Sequence, residues 1–582
     1  MKYLEDLKIT GQMDKNVTLV IEKQLKNREY WNKFCEVFST KEDTLDEGWR
    51  AEYFGKMMRG ATWTYRYSHD EELYEVLTEA AENLLALQEM NGRFSTYALE
   101  KEFCGWDMWG RKYVLTGLLH YRSICKDEDL KDKILISLEK HLDYIVTKIG
   151  GGDDKTPITS TSSWWGGVNS CSILETVVEM YKETGKKDYL QFAEYIISTG
   201  GCSEGNLIEL ALANDRMPFE YPTVKAYEVM SFFEGVLAYY EVTGIDKYYK
   251  AVCNFVEAVY KSDVTIIGCS GCTHELFDNS YIKQTEYSDV IMQETCVTVT
   301  WMRLLSRLYL ISGNPTYIDR IEVSGFNALY GSINTEGNEQ YSFERKKYVS
   351  AMLFDSYSPL YYNKRGRGIG GYKEFKSGGY YGCCVAIAAC GIALMPLTAV
   401  MKDEKGPIIN FLCNAVVKEK DYTLEIESSY PSCGQGKITV KCEKETNINL
   451  RIRRPSWCNK MSVNNTVVDE DEYYTISGPL NNGDTFAVNF DMVLKPKRLN
   501  GKIAFMYGPL VLAADALKTD KDIRKPLHIE KTDYKVLPAE KGEFIRIRLL
   551  TEDDEILLTD YQSCGKKWLN YNAFMTAWFN EK

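Results

Sequence analysis

The chain is 582 residues long, 45% hydrophobic and 26% charged, the composition of a folded protein with room for two or more domains. Its formal net charge of −13 argues against a nucleic-acid partner, which calls for a basic surface. No stretch approaches the roughly 20 apolar residues of a membrane span, and the opening Met1-Lys2-Tyr3-Leu4 run lacks a secretory apolar core. The expectation is a soluble, cytoplasmic protein without membrane association.

From the N-terminus to about residue 404 the pattern is helical. Glu71–Gln88 carries Leu73, Val76, Leu77, Ala80, Leu84 and Leu85 at helical spacing, with polar residues between. Several helices close alike, with an aromatic residue, then Thr-Gly or Ser-Gly, then a new helix: Tyr181 to Gly185, Tyr240 to Gly244 and Tyr309 to Gly313. Gly is favoured just past a helix end because φ there is often positive. Looser relatives occur near Tyr67 and Tyr121. A repeat of about 60 residues is one helical hairpin. Five such units plus a diverged sixth predict an (α/α)6 barrel over 1–404, with an open helical solenoid as the alternative.

The character changes at Lys405-Gly406-Pro407. Short alternating runs follow at Thr423–Glu427, Lys437–Lys441, Ile448–Ile452 and Phe486–Phe490, with a turn at Asn481–Asp484. These predict antiparallel β-sandwich structure over 405–582, hence a multidomain α+β chain. The last 60 or so residues resist parsing.

Seventeen cysteines are an odd number and, in a chain this long, no disulfide framework. Most read as small buried hydrophobes. Four residues stand out. Glu294 and Cys296 lie two apart, and Cys383 and Cys384 adjoin behind the glycines 378, 379 and 382. Three thiols and a carboxylate suffice for one tetrahedral zinc ion. Residues two apart diverge on a regular helix, so this set requires a helix start or irregular backbone, which the glycines make accessible. The competing reading is three buried thiols and a surface acid. A second candidate, Cys269-Ser-Gly-Cys272 followed by His274, is a lone C-x-x-C. Glu275 is either a solvated loop acid or a general acid in a partly buried pocket. Trp106, Asp107 and Trp109, and likewise Trp49 to Tyr53, are either barrel packing or a sugar platform.

In combination these segments point further. Tyr287 to Cys296, Tyr317 to Asn327, Tyr381-Gly-Cys-Cys384, Arg453-Arg-Pro-Ser-Trp457 and Tyr507-Gly-Pro-Leu510 closely resemble the retaining β-L-arabinofuranosidases of glycoside hydrolase family 127, from about Trp49 to Asp515. The resemblance implies a barrel glycosidase followed by β-structure. It implies Zn2+ held by Glu294, Cys296, Cys383 and Cys384, with Cys383 as nucleophile, Glu275 as acid/base and Glu322 on the sugar. The partner implied is a glycoside or oligosaccharide, and the reading leaves room for a homodimer. Where family members place sugar-contacting histidines, this chain has Lys112, Ser170 and Lys225, so Lys112, Lys225, Glu228 and Trp109 are the candidate substrate contacts. Two alternatives stay open: a barrel glycosidase or lyase of other specificity, such as for an acidic sugar, with a structural zinc, or a non-catalytic carbohydrate-binding protein.

Overall fold

The computed structural model describes the chain apart from residues 5, 46–47, 272, 288–292, 343–345, 356–357, 367, 369, 469–471 and 553. Cys272 of the C-x-x-C, and 288–292 of the segment before Glu294, therefore lie outside the described residues.

Among the described residues six helices form an inner layer: Ala51–Ser68, Asp107–Arg122, Leu174–Thr184, Ala226–Thr243, Thr295–Ser312 and Cys383–Ala399, most of them buried on nearly every face, with Leu174–Thr184 exposed in its last turn. A helix buried all round lacks a polar stripe. The sixth, Cys383–Ala399, is the extreme case, with every residue buried. These inner helices pack in a closed ring, each on the next and the sixth back on the first. The solenoid alternative is thereby replaced by a barrel. Where the first and second inner helices cross, a Cβ on Gly55 would lie 2.0 Å from the Tyr113 carbonyl oxygen, so only glycine allows that approach.

Outer helices follow their inner partners at Glu71–Leu85, Glu128–Lys148, Lys187–Ser198, Asp246–Ser262 and Pro315–Val323. Four hairpins close through one device. The N–H groups of Gly185, Gly244 and Gly313, with φ of 67°, 66° and 69°, donate to the carbonyls of Tyr181, Tyr240 and Tyr309 at 2.8 Å. His69, with φ of 52°, does the same to Tyr65, whereas the remaining hairpin turns without a left-handed residue, with the Cys125 N–H donating to Tyr121 at 3.0 Å. The sixth inner helix lacks this cap because it runs straight into the strand Val400–Asp403. On its outer side lies the N-terminal helix Gln12–Val20.

The β-region is built from three larger sheets. In the first, Lys2–Tyr3, Val400–Asp403, Gly406–Ile409, Thr446–Arg453 and Tyr473–Leu480 lie in that order. The second runs from Thr466–Val468 through Thr485–Phe490 and Thr423–Ser428 to Leu7–Ile9 at its edge. The third, from Leu494 onward, contains the strands that the sequence left unparsed, including Arg546–Leu550 and Glu555–Asp560. Alternating burial gives Thr423–Ser428 and Thr446–Arg453 one buried face each.

Two details differ from expectation. Arg451 and Ile452 pair in parallel with Ile408 and Ile409, which is not the purely antiparallel pattern that alternation suggested. Alternation shows which face is buried but not strand direction. In addition, residues 2–3 and 7–9 belong to the sheets, although the sequence placed them with the barrel. They pair with Met401–Lys402 and Ala415–Val417.

The barrel and β-region meet at a polar joint. Glu322, at the end of Pro315–Val323, accepts from Arg453 at 2.8 Å, from Trp457 Nε1 at 3.0 Å and from the Tyr430 hydroxyl. Asn327 donates to the Pro509 carbonyl at 2.9 Å and accepts from Val511 N–H at 2.8 Å.

Candidate active site and metal centre

One end of the barrel gathers the starts of the inner helices. Glu52 and Lys56 come from the first, Trp109 and Lys112 from the second, Lys225 and Glu228 from the fourth, Glu294 and Cys296 from the fifth, and Cys383 and Cys384 from the sixth. Helix N-termini present free N–H groups and a positive dipole end, which favour anions such as thiolates.

Glu294 is the N-cap of the fifth inner helix with extended backbone, and Cys296 follows in its first turn. This is how residues two apart converge. Cys383 and Cys384 open the sixth helix behind extended Gly382. The four ligand atoms all lie within 4.8 Å of one another and all four residues are buried. Cys296 Sγ is 3.3 Å from Cys383 Sγ, and Cys384 Sγ lies 2.9 Å from Glu294 Oε1. Three sulfurs and one carboxylate oxygen converging in a buried space form the donor set of a tetrahedral zinc site, and the residues fit that ion. Among the described residues this is the cluster able to hold a metal. Cys269 is not one of the four, although its sulfur lies 3.7 Å from the Glu294 backbone carbonyl. Its thiol donates to the Gly271 carbonyl at 3.3 Å, and burial pushes it up to about 11.

Electrostatics divide the sulfurs. Burial alone would raise Cys296, but donation from Cys383 and Cys384 and the Lys56 ammonium bring it down to about 6. Hydrogen bonding to Cys296 holds Cys383 well above the usual thiol range, and burial does the same for Cys384.

Lys56 is the residue that the sequence reading missed. It is fully buried, 3.9 Å from Cys296 Sγ and 3.2 Å from Glu52 Oε2, and its ammonium lies 4.3 Å from the Tyr227 ring centre. The available signal was a lysine four residues after a glutamate in helix turns that are otherwise apolar as far as Met58. Glu52 also accepts from Trp109 Nε1. Trp109 is buried, with Tyr113 and Tyr227 edge-on at 5.2 and 5.3 Å. Its place is packing and orientation rather than an open platform.

Glu275 sits in a left-handed turn (φ 60°) that pairs as a short β-bridge between Leu276 and Lys225. Its backbone carbonyl accepts from Ala226 N–H at 2.8 Å, and its carboxylate is ion-paired with Lys225. Glu228 stands one turn beyond Lys225. This side of the site faces the sulfurs closely enough for Cys383 to act electrostatically on Lys225 and Glu275 on Cys296.

Not every expected residue joins the cluster. Lys112 is buried and donates to Ser172 Oγ at 3.1 Å, over the Trp109 ring at 4.6 Å. Burial pushes its ammonium down to about 7 despite Glu175 and Glu234. Ser170 is engaged with Thr161 at 2.8 Å. Glu322 is not brought to the site at all, because its carboxylate is occupied at the joint with the β-region. One to two turns further along the inner helices, Arg303 and Arg307 pair with Glu234 and Glu175 at 3.1 and 2.9 Å, filling the barrel behind the site with charge pairs.

The comparisons with known proteins agree with this geometry. Residues 8–363 match the model of the β-L-arabinofuranosidase GH127 catalytic domain, and residues 409–492 match that of the GH127 middle domain. A non-reducing end β-L-arabinofuranosidase from Bifidobacterium longum subsp. longum is 23% identical over 389 residues, covering 60% of this chain and 57% of the relative. The match therefore spans little more than half of that protein's length. A solved GH127 β-arabinofuranosidase overlays with a TM-score of 0.79 at 17% identity, covering 100% of this chain and 97% of the other. A GH127 β-L-arabinofuranosidase from Geobacillus stearothermophilus T6 overlays at 0.75 and 16%, covering 99% and 100%. These overlays establish the fold. Among the described residues no helix is long and apolar enough to cross a membrane. With the catalytic-domain model matched along more than half of the chain, the protein belongs to the GH127 β-L-arabinofuranosidase family.

Proposed function

We propose that this protein is a retaining glycoside hydrolase that releases a terminal sugar such as β-L-arabinofuranose, with Cys383 as nucleophile and Glu275 as acid/base. The observation that supports this most is the convergence of Glu294, Cys296, Cys383 and Cys384 within 4.8 Å, opposite the Lys225–Glu275 pair. The helical barrel holds every group in the scheme, and the β-region, which also takes in strands 2–3, 7–9 and 400–403, braces it.

Zn2+ held by Glu294, Cys296, Cys383 and Cys384 would supply charge that keeps the coordinated thiols deprotonated at neutral pH. The Cys383 sulfur attacks the anomeric carbon while the Glu275 side protonates the departing oxygen. A sugar–sulfur bond to Cys383 results. Glu275 then takes a proton from water as that water displaces the sulfur, and two inversions return the original configuration. Lys225 anchors the Glu275 carboxylate, and the buried Lys56 offsets negative charge at Cys296. Lys225 is the group set to meet a bound sugar, with Lys112 deeper and Trp109 and Glu228 packed behind.

The test is a screen of nitrophenyl glycosides, including β-L-arabinofuranosides and acidic sugars, with metal content measured on the same sample. Turnover of a furanoside with about one zinc per chain is expected. A metal-loaded, folded protein inert toward every glycoside would defeat the reading.

A further inference from the structure

Glu228 lies on the fourth inner helix, 2% exposed, and its Oε2 atom finds no hydrogen-bond partner. A carboxylate oxygen buried without a donor is costly, whereas the protonated acid is far less so. The charged groups that face it are Lys225 on its own helix, Glu275 on the facing loop and Lys56 on the first inner helix. The Lys225 ammonium is already committed to the Glu275 carboxylate and, at 3.4 Å, to the His274 carbonyl. Burial accordingly pushes the Glu228 carboxyl up to about 8, with Lys225 opposing and Glu275 reinforcing the shift. Glu275 is ion-paired with Lys225, while Glu228 is left buried without a donor for its Oε2 atom.

We propose that Glu228 stores the proton consumed when the leaving group departs and acts through Glu275, so that Glu228, Lys225 and Glu275 form one proton-sharing unit. The inference rests on the glycosidase reading above. In the first step the bond from the anomeric carbon to the leaving oxygen breaks as the bond to Cys383 sulfur forms. The leaving oxygen takes a proton from Glu275, which receives one from Glu228, so that Glu228 ends as a carboxylate beside Lys225. In the second step water oxygen bonds to the anomeric carbon as the carbon–sulfur bond breaks, and its proton returns through Glu275 to Glu228. One water is consumed and no proton is gained or lost. Glu228 is a positioning residue in this scheme.

The experiment uses the full-length, metal-loaded protein with Glu228→Gln and Glu228→Asp. Infrared difference spectra between wild type and Glu228→Gln need no substrate. The expected result is a carboxylic-acid carbonyl band in wild type at pH 6 that is absent from the variant and fades as the pH passes about 8. No such band overturns the proposal, whatever the activity. Rates are then compared on glycosides with alkyl and with dinitrophenyl leaving groups. Glu228→Gln is expected to lose about 100-fold in kcat/KM on the alkyl glycoside, the scale of general acid assistance, and little on the dinitrophenyl one, which departs without a proton. Glu228→Asp recovers much of the alkyl rate. Equal losses on both substrates overturn the proposal and leave the glycosidase reading intact. A wild type that turns over neither overturns both.

Discussion

The Lys56 ammonium lies 3.9 Å from the sulfur of Cys296 and 3.2 Å from the carboxylate of Glu52, with all three side chains buried. A buried ion pair is worth little net, but breaking one side leaves an unpaired charge at a cost of about 3–5 kcal/mol. Lys56→Met is therefore expected to lower unfolding stability by about that amount in the metal-free protein. Glu52→Gln keeps an acceptor for Trp109 and should recover part of the loss when combined with Lys56→Met. A double-mutant cycle by urea denaturation measures the coupling. Additive losses would show that the two residues act independently.

The two adjacent cysteines should separate in their kinetics. Cys383→Ser is expected to reduce kcat by about 10,000-fold or more, as loss of a nucleophile does, with the circular dichroism spectrum unchanged. Both substitutions remove a ligand of the proposed zinc site, so bound zinc should fall in each. Initial rates at saturating zinc distinguish them, because Cys384→Ser should then recover part of its activity and Cys383→Ser should not. Near-normal turnover by Cys383→Ser would remove it from the nucleophile's place.

The sequence showed the barrel because its closing turns are chemical. Gly185, Gly244 and Gly313 need positive φ, and each caps a tyrosine carbonyl, so the repeat could be counted. The sixth unit was invisible because its inner helix ends in a strand and the helix outside it lies at the other end of the chain. The sulfur cluster was legible from residue type, since three thiols and a carboxylate carry their chemistry with them. Lys56 was not, because only the folded barrel shows that a mid-helix lysine faces Cys296. Arg453, Trp457 and Pro509 carried part of the family resemblance, and the structure engages them with Glu322 and Asn327 at the joint.

Glu322 gives that distinction a test. It is buried with Arg453 and pushed above the usual carboxylate range by burial. Glu322→Gln should cost about 3 kcal/mol or more of stability while KM and kcat of the folded enzyme stay within about twofold, since the proposed nucleophile and acid/base are other residues. Thermal melts paired with kinetics decide it. A raised KM at unchanged stability would restore Glu322 to the sugar.

The Glu228 carboxyl carries a pH signature in stability. It titrates near 4.5 when exposed and at about 8 in the fold. Between those values the folded state keeps a proton that the unfolded state has released. Its contribution is therefore fully present below pH 4.5 and is lost as the pH climbs through 8, at a slope of at most about 1.4 kcal/mol per pH unit. Glu228→Gln has no such term. Denaturation midpoints of wild type and variant should diverge in the variant's favour from about pH 5 to pH 8, and parallel curves would contradict the buried acid.

Gly371 sits over Cys383, the proposed nucleophile. Its φ is +54°, and a Cβ placed there would lie 2.5 Å from Cys383 Sγ and 2.9 Å from Cys383 Cβ. The Gly371 carbonyl is fixed by the Tyr53 hydroxyl at 2.6 Å and Trp49 Nε1 at 3.0 Å, so the backbone has little freedom to retreat. Gly371→Ala must either move that segment or push the sulfur aside. The left-handed conformation alone costs about 1 kcal/mol, which the barrel can absorb. The expected outcome is a folded protein with a small drop in melting temperature but a fall in kcat of about 10- to 100-fold, because a misplacement of about 1 Å at a reacting atom has that effect. Measuring kcat and zinc content of the variant separates a displaced nucleophile, with metal retained, from a collapsed metal site. Full activity would mean that the segment above Cys383 yields freely and does not position it.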